Sequence, residues 1–203
     1  MTSIPLSPKQ GGQCILPSAL APADIIVSTT NALISRGIRA DTRSSISHVI
    51  LYAGTGQVVE AVQAGVVARS LNEALKGATV AVAYRYRGLT PRQACIAITY
   101  ARTKVGLKYD VGGALGGGAR ANPAVCVVAL QPALGIFGAF SACGAAANGK
   151  WQNPNRYYCS ELVLESFQKA GIHIVPVSPS VSVPEDIVGA YNRGVLEYVG
   201  HLR

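Results

Sequence analysis

Tyr157-Tyr158-Cys159-Ser160-Glu161-Leu162-Val163 sets one cysteine where a polar loop, Trp151 to Arg156, turns into an amphipathic helix. Leu162, Val163, Phe167 and Ala170 recur at helical spacing and Gly171 supplies a stop. Glu161 and Glu165 come early and Lys169 late, the order the helix dipole favours. A thiol at such an N-terminus sits among unpaired backbone N–H groups, which favour the thiolate. Cys159 is therefore either a nucleophile or a small buried side chain, and a nucleophile needs a base.

Composition narrows the class. The 203 residues suit one domain with length enough to bury a core, and 49% hydrophobic against 14% charged residues argues for a globular fold. The net charge of +8 is spread over scattered bases, without a zinc-finger or RNA-binding signature, so no nucleic-acid partner is expected. Contact with an anionic envelope or membrane surface fits the charge equally simply. Five cysteines, at 14, 95, 126, 143 and 159, form an odd set without CxxC spacing, against both a disulfide framework and a structural zinc site. No metal or cofactor is expected: there is no paired-histidine motif, and Gly112 to Gly118 lacks the ending of a phosphate cradle, reading as a flexible connection. The N-terminus lacks the basic start and apolar run of a secretory signal. Synthesis in a reducing cytoplasm is expected, with any export through a specialised secretion system.

Along the chain, residues 1–20 read as an irregular arm and 21–203 as a single domain. Strands are expected at Ala23 to Ser28, Ser47 to Tyr52, Gln57 to Val62, Val66-Val67, Val80 to Tyr86 and Ile172 to Val177. Arg36 to Ser45 reads as a loop. Helix starts carry capping chemistry at Ser70-Leu71-Asn72-Glu73 and Thr90-Pro91-Arg92-Gln93, with a weaker version at Ser182-Val183-Pro184-Glu185. A Gly/Ala-rich insertion is expected at about 111–150. Within it, Ala121 to Gly149 holds no charged residue, but Pro123, Gln131 and Pro132 interrupt it. It reads as an insertion packed on the core or covering the site rather than as a membrane span.

Three histidines could serve Cys159. His201 reads as part of a mobile tail, and His173 alternates with Ile172 and Ile174, facing solvent. His48 opens the hairpin. If Gly54-Thr55-Gly56 is a three-residue connection, Ile50 pairs with Glu60 and His48 with Val62, which puts His48 and Glu60 on one face. Such diagonal neighbours lie roughly 7–8 Å apart, within reach of a long carboxylate that could orient the ring. A one-residue change in the turn would send Glu60 to the other face.

Asp24-Ile25-Ile26, Ser47-His48-Val49-Ile50-Leu51-Tyr52, Val58-Val59-Glu60-Ala61, Gly106-Leu107-Lys108-Tyr109-Asp110 and Tyr158-Cys159-Ser160-Glu161-Leu162-Val163 occur in the order seen in circularly permuted NlpC-like papain-fold hydrolases. The chain resembles this YiiX/YebB-like group, distantly related to lecithin:retinol acyltransferase, from about Pro22 to Tyr191. Histidine precedes cysteine, the permuted order. The resemblance implies an α+β fold with an antiparallel sheet packed against the catalytic-cysteine helix. It also implies a Cys159–His48–Glu60 triad acting on an amide through a thioester, with Tyr158, Tyr157 and Tyr109 shaping the pocket. Peptidoglycan stem peptides are the substrate class it implies, which would suit an antibacterial effector with an immunity-protein partner or a cytoplasmic recycling enzyme. Acyl transfer or lipid hydrolysis by the same thiol, and a catalytically silent membrane-binding module, stand as alternatives. The enlarged stretch between Tyr109 and Cys159 departs from the family pattern.

Overall fold

Alternating burial along the strands builds a sheet with two covered faces. Ile25, Val27, Val49 and Leu51 join one apolar cluster, while Ile26, Ile50 and Tyr52 join another on the opposite face. The computed structural model describes residues 12–30, 46–114 and 155–202. The expected loop at Arg36 to Ser45, most of the 111–150 insertion with its charge-free stretch, and Cys126 and Cys143 lie outside the described residues.

The sheet comprises β1 (Cys14–Ile15), β2 (Ile25–Thr30), β3 (His48–Gly54), β4 (Gln57–Val62), β5 (Gly65–Ser70), β6 (Ala78–Tyr86) and β9 (Leu196–Leu202). Its order is β1-β9-β6-β2-β3-β4-β5, antiparallel throughout except for the β1–β9 pair. A two-stranded parallel piece, β7 (Lys108–Tyr109) and β8 (Arg156–Tyr157), brings the two chain segments flanking the insertion together. The helices that frame the site include α1 (Leu71–Ala74), α2 (Pro91–Thr103), α3 (Cys159–Lys169) and α4 (Pro184–Asn192). α3 packs on α2 and across β3 and β4, burying Leu162, Val163 and Phe167 against Val49, Leu51 and Val59. This is the expected α+β arrangement of a cysteine helix on an antiparallel sheet. Among the described residues no helix is long and apolar enough to cross a membrane.

The capping signals at Ser70 and Thr90 form as read: each hydroxyl accepts the backbone N–H three residues on, and Glu73 and Gln93 reach back. At α4 the cap is displaced by one residue. Val183 is the N-cap, Asp186 accepts its N–H at 2.8 Å, and the Ser182 hydroxyl instead donates to the Pro179 carbonyl.

Three expectations are corrected. The part of the N-terminal arm that the structure describes is ordered: Cys14–Ile15 is a strand, and the His201 N–H donates to the Gln13 carbonyl at 2.7 Å. His201 is not a mobile tail but a buried residue of β9, facing Tyr198 at 2.6 Å. Its seven-residue strand lies in the sheet between β1 and β6, an arrangement that no local signal in a polar, Gly-containing stretch announces. Ile172 to Val177 is not a strand. Its alternation is genuine, with Ile172 and Ile174 buried and His173 exposed, but the segment crosses the core as irregular chain and Pro176 offers no N–H to a ladder.

Candidate active site

The β3–β4 hairpin positions the first two groups. Its turn is shorter than expected: Thr55 and Gly56 form a two-residue connection with φ of 49° and 73°, and Gly54 pairs with Gln57. A bulge between Tyr52 and Gly54 restores the missing residue, so Leu51 pairs with Val59 as a three-residue connection would require. Glu60 therefore keeps the face of His48. The β3–β4 ladder runs from Gly54–Gln57 to Leu51–Val59, while the β2–β3 ladder continues to Ser28–His48. His48 thus stands beyond the last rung shared with β4, at the mouth of the hairpin.

There the Glu60 Oε2 lies 2.5 Å from His48 Nε2. The Glu60 side chain is fully buried and that of His48 is 18% exposed. The second Glu60 oxygen accepts from Arg69 Nε of β5, also at 2.5 Å. Arg69 carried no signal in the sequence, because its role depends on a register set by two successive hairpins: Val58 pairs with Arg69 and Glu60 with Val67. Burial alone would push Glu60 toward its neutral form, but the hydrogen bonds and charges of His48 and Arg69 outweigh it and hold the carboxyl below its usual range.

Cys159 enters from the other side. It is the first residue of α3, buried, with Tyr158 as N-cap in extended conformation. Burial disfavours the charged form of His48, yet hydrogen bonds to Cys159 and Glu60, reinforced by their negative charge, push the ring up to about 10. With Nε2 engaged by Glu60, Nδ1 is the ring nitrogen that remains for the thiol. The structure thus brings together Cys159, His48 and Glu60 from α3, β3 and β4.

The three tyrosines are placed differently. Tyr158 is buried with its hydroxyl donating to the Pro179 carbonyl at 2.7 Å, and the negative charge of Cys159 contributes to raising its pKa after burial and Glu161. Tyr109 is half-buried, and its pKa is raised by burial first and next by the charge of Cys159. Tyr157 faces away from this cluster: its ring is buried between α2 and α3, its hydroxyl 3.3 Å from that of Tyr100, which donates to Glu165 at 2.7 Å. Gly113 is packed so closely against the Tyr158 ring that an added Cβ would come within 2.9 Å of it. Behind α3, a groove of about 490 Å³ runs past Glu161, Glu165, Gln168 and His173, on the face turned away from the thiol. Among the described residues no group of three or more His, Cys, Asp or Glu is placed to hold a metal ion.

A cysteine helix packed on an antiparallel sheet, with the histidine strand upstream of the cysteine, is the architecture of a permuted papain-like fold, and the similarities to known proteins support a cysteine peptidase or amidase. The family model described as "Permuted papain-like amidase enzyme, YaeF/YiiX, C92 family" matches residues 19–114. The chain is 29% identical over 206 residues to the probable lipoprotein peptidase YaeF of Escherichia coli strain K12, covering 91% of this chain and 71% of that protein. The fold is similar to that of the crystal structure of metalloprotein yiiX from Escherichia coli O157:H7, with TM-score 0.58 and 18% identity over 87% of this chain and 94% of the other.

Proposed function

We propose that the amide-cleaving machinery is a Cys159–His48–Glu60 triad and that its substrates are peptidoglycan stem peptides. The observation carrying the first part is the sharing of the His48 ring between the Glu60 carboxylate and the Cys159 thiol. A ring held protonated between two anions is a reservoir for the proton the leaving amine needs.

The cycle then runs as follows in charge and atoms. The Cys159 thiolate attacks the scissile carbonyl carbon, an S–C bond forms, and the carbonyl π pair moves to oxygen. The Cys159 backbone N–H, at the positive end of α3, meets that oxyanion. On collapse the C–N bond breaks and the amine leaves with the His48 proton, giving a thioester. Water, deprotonated by the same ring, attacks the thioester carbon; the S–C bond breaks and the thiolate–imidazolium pair returns. Glu60 stays ionised throughout, orienting the ring and stabilising its cation.

The substrate class is supported by the resemblance to wall-peptide amidases and by the net charge of +8, which suits an anionic envelope. Incubation with a panel of muropeptides and, separately, phospholipids, read by mass spectrometry, tests it. Cleaved stem peptides formed by the wild type and absent with Cys159→Ala support the reading, whereas fatty-acid release or transacylation would assign the thiol to acyl chemistry. Delivery to a rival cell as an antibacterial effector is the biological setting of this reading. Periplasmic expression should then lyse the host, and Cys159→Ala should not.

A further inference from the structure

Glu60 is the most confined charge in the site. It is fully buried, and each of its oxygens has one cationic partner. The titratable and charged groups around it can be followed outward from element to element. His48 of β3 faces Oε2, with Cys159 of α3 beyond it. Arg69 of β5 faces Oε1, with Glu73 of α1 beyond it. β5 lies at one edge of the sheet, and Arg69 is 35% exposed, so the guanidinium keeps contact with water while its Nε reaches inward.

A buried carboxylate with His48 as its sole cation would face two states of similar energy. In one it is ionised and accepts from the imidazolium. In the other it is neutral, donates to an uncharged ring and leaves no stored proton for the leaving amine. A permanent charge on the second oxygen separates those states, because guanidinium does not release its proton in the working pH range. The Nε contact also fixes the carboxylate in the plane that presents Oε2 to the ring.

We infer that Arg69 is a positioning residue of the active site, holding Glu60 ionised and aimed so that Glu60 can in turn hold His48 as the imidazolium. The inference rests on the proposed triad. It extends the chain of contacts to Cys159–His48–Glu60–Arg69, drawn from α3, β3, β4 and β5. Arg69 acts through its contact with Glu60, so it should act on turnover and on pH dependence rather than on substrate binding.

The test is the pH profile of amide hydrolysis by Arg69→Met, Arg69→Lys and Cys159→Ala, with Arg85→Met as a control that breaks a different buried ion pair. For Arg69→Met, kcat should fall about tenfold with KM little changed, as expected when one member of a charge network is removed. Loss of the positive neighbour raises the pKa of Glu60, so the acid limb should move up by about one pH unit. Arg69→Lys should return the limb toward the wild-type position, and Arg85→Met should leave it in place. If Arg69→Met fails to fold by circular dichroism, Arg69→Gln carries the same test, keeping a donor but losing the charge. A folded Arg69 variant with the wild-type kcat and acid limb overturns the role of Arg69 while the triad stands. Turnover persisting in Cys159→Ala overturns the triad and the role of Arg69 with it.

Discussion

Asp24 and Glu60 are both fully buried carboxylates that meet an arginine from another strand, and they do different work. Arg85 grips Asp24 with two nitrogens at 2.7 Å, and the Ala21 N–H fills one more site on the same carboxylate. That pair joins β6 to the start of β2, and all its partners are fixed donors. Glu60 gives only one oxygen to its arginine and the other to a ring that can gain and lose a proton. A third carboxyl completes the series. Glu161 is buried on α3, and among the described residues it makes no salt bridge: burial, joined by the smaller effects of the Asp110 and Glu165 charges, pushes it up to about 8 against the opposing hydrogen bond from the Tyr158 N–H. Burial is common to the three, so what distinguishes a structural carboxylate from one poised for chemistry is the titratability of its partner.

The largest effect that should separate these regions is on turnover. Cys159→Ala and His48→Ala should lower amide hydrolysis by roughly 10⁴-fold or more, and Glu60→Gln by about 10³-fold with the fold intact. Asp24→Asn should do the reverse, destabilising the protein by about 3 kcal/mol through the uncompensated Arg85 while kcat stays close to wild type. Kinetics and denaturant melts on the same four variants check this, and a catalytic collapse in folded Asp24→Asn would erase the distinction.

Next in size is the protonation of His48. Its ring should titrate near 10, measured by NMR of labelled histidine, and the midpoint should drop in Cys159→Ala and Glu60→Gln. A folded-state pKa above the unfolded 6.5 means the folded protein binds the proton more tightly. The stability this contributes is complete below about 6.5 and is lost as pH rises through about 10. A ring titrating near 6.5 in the folded enzyme would contradict the paired arrangement.

The smallest effect belongs to Glu161. Its raised pKa carries the same sign: the fold favours the protonated carboxyl, so stability falls as pH rises from about 4.5 through about 8. Glu161→Gln should raise the melting temperature at pH 9 and leave it nearly unchanged at pH 4, whereas Asp24→Asn should lower it at pH 9.

Much of this arrangement could be read from local pattern. The helix beginning at Cys159 and the face shared by His48 and Glu60 follow from periodicity and strand alternation, even though the turn reached its register through a bulge at Ala53 rather than through three loop residues. Arg69 and β9 could not be read this way. Arg69 matters because two hairpins stack their registers, and Leu196–Leu202 becomes a strand only because β1 and β6 lie on either side of it. Ile172 to Val177 shows the converse, a segment with the alternation of a strand that crosses the core as irregular chain. The resemblance offers Tyr157 beside Tyr158 as a pocket residue, yet consecutive residues at a strand end point to opposite sides, and the Tyr157 ring packs against Tyr100 and beneath the Lys104 ammonium.

The central claim is that Cys159 is an activated nucleophile rather than a buried thiol, and a thiol-directed activity probe tests it most directly against the exposed Cys95 on α2. Cys159 should label faster than Cys95 and at lower pH, with its labelling abolished in Cys159→Ala and slowed in His48→Ala. Equal rates at the two cysteines, or a Cys159 rate indifferent to His48, would contradict the account.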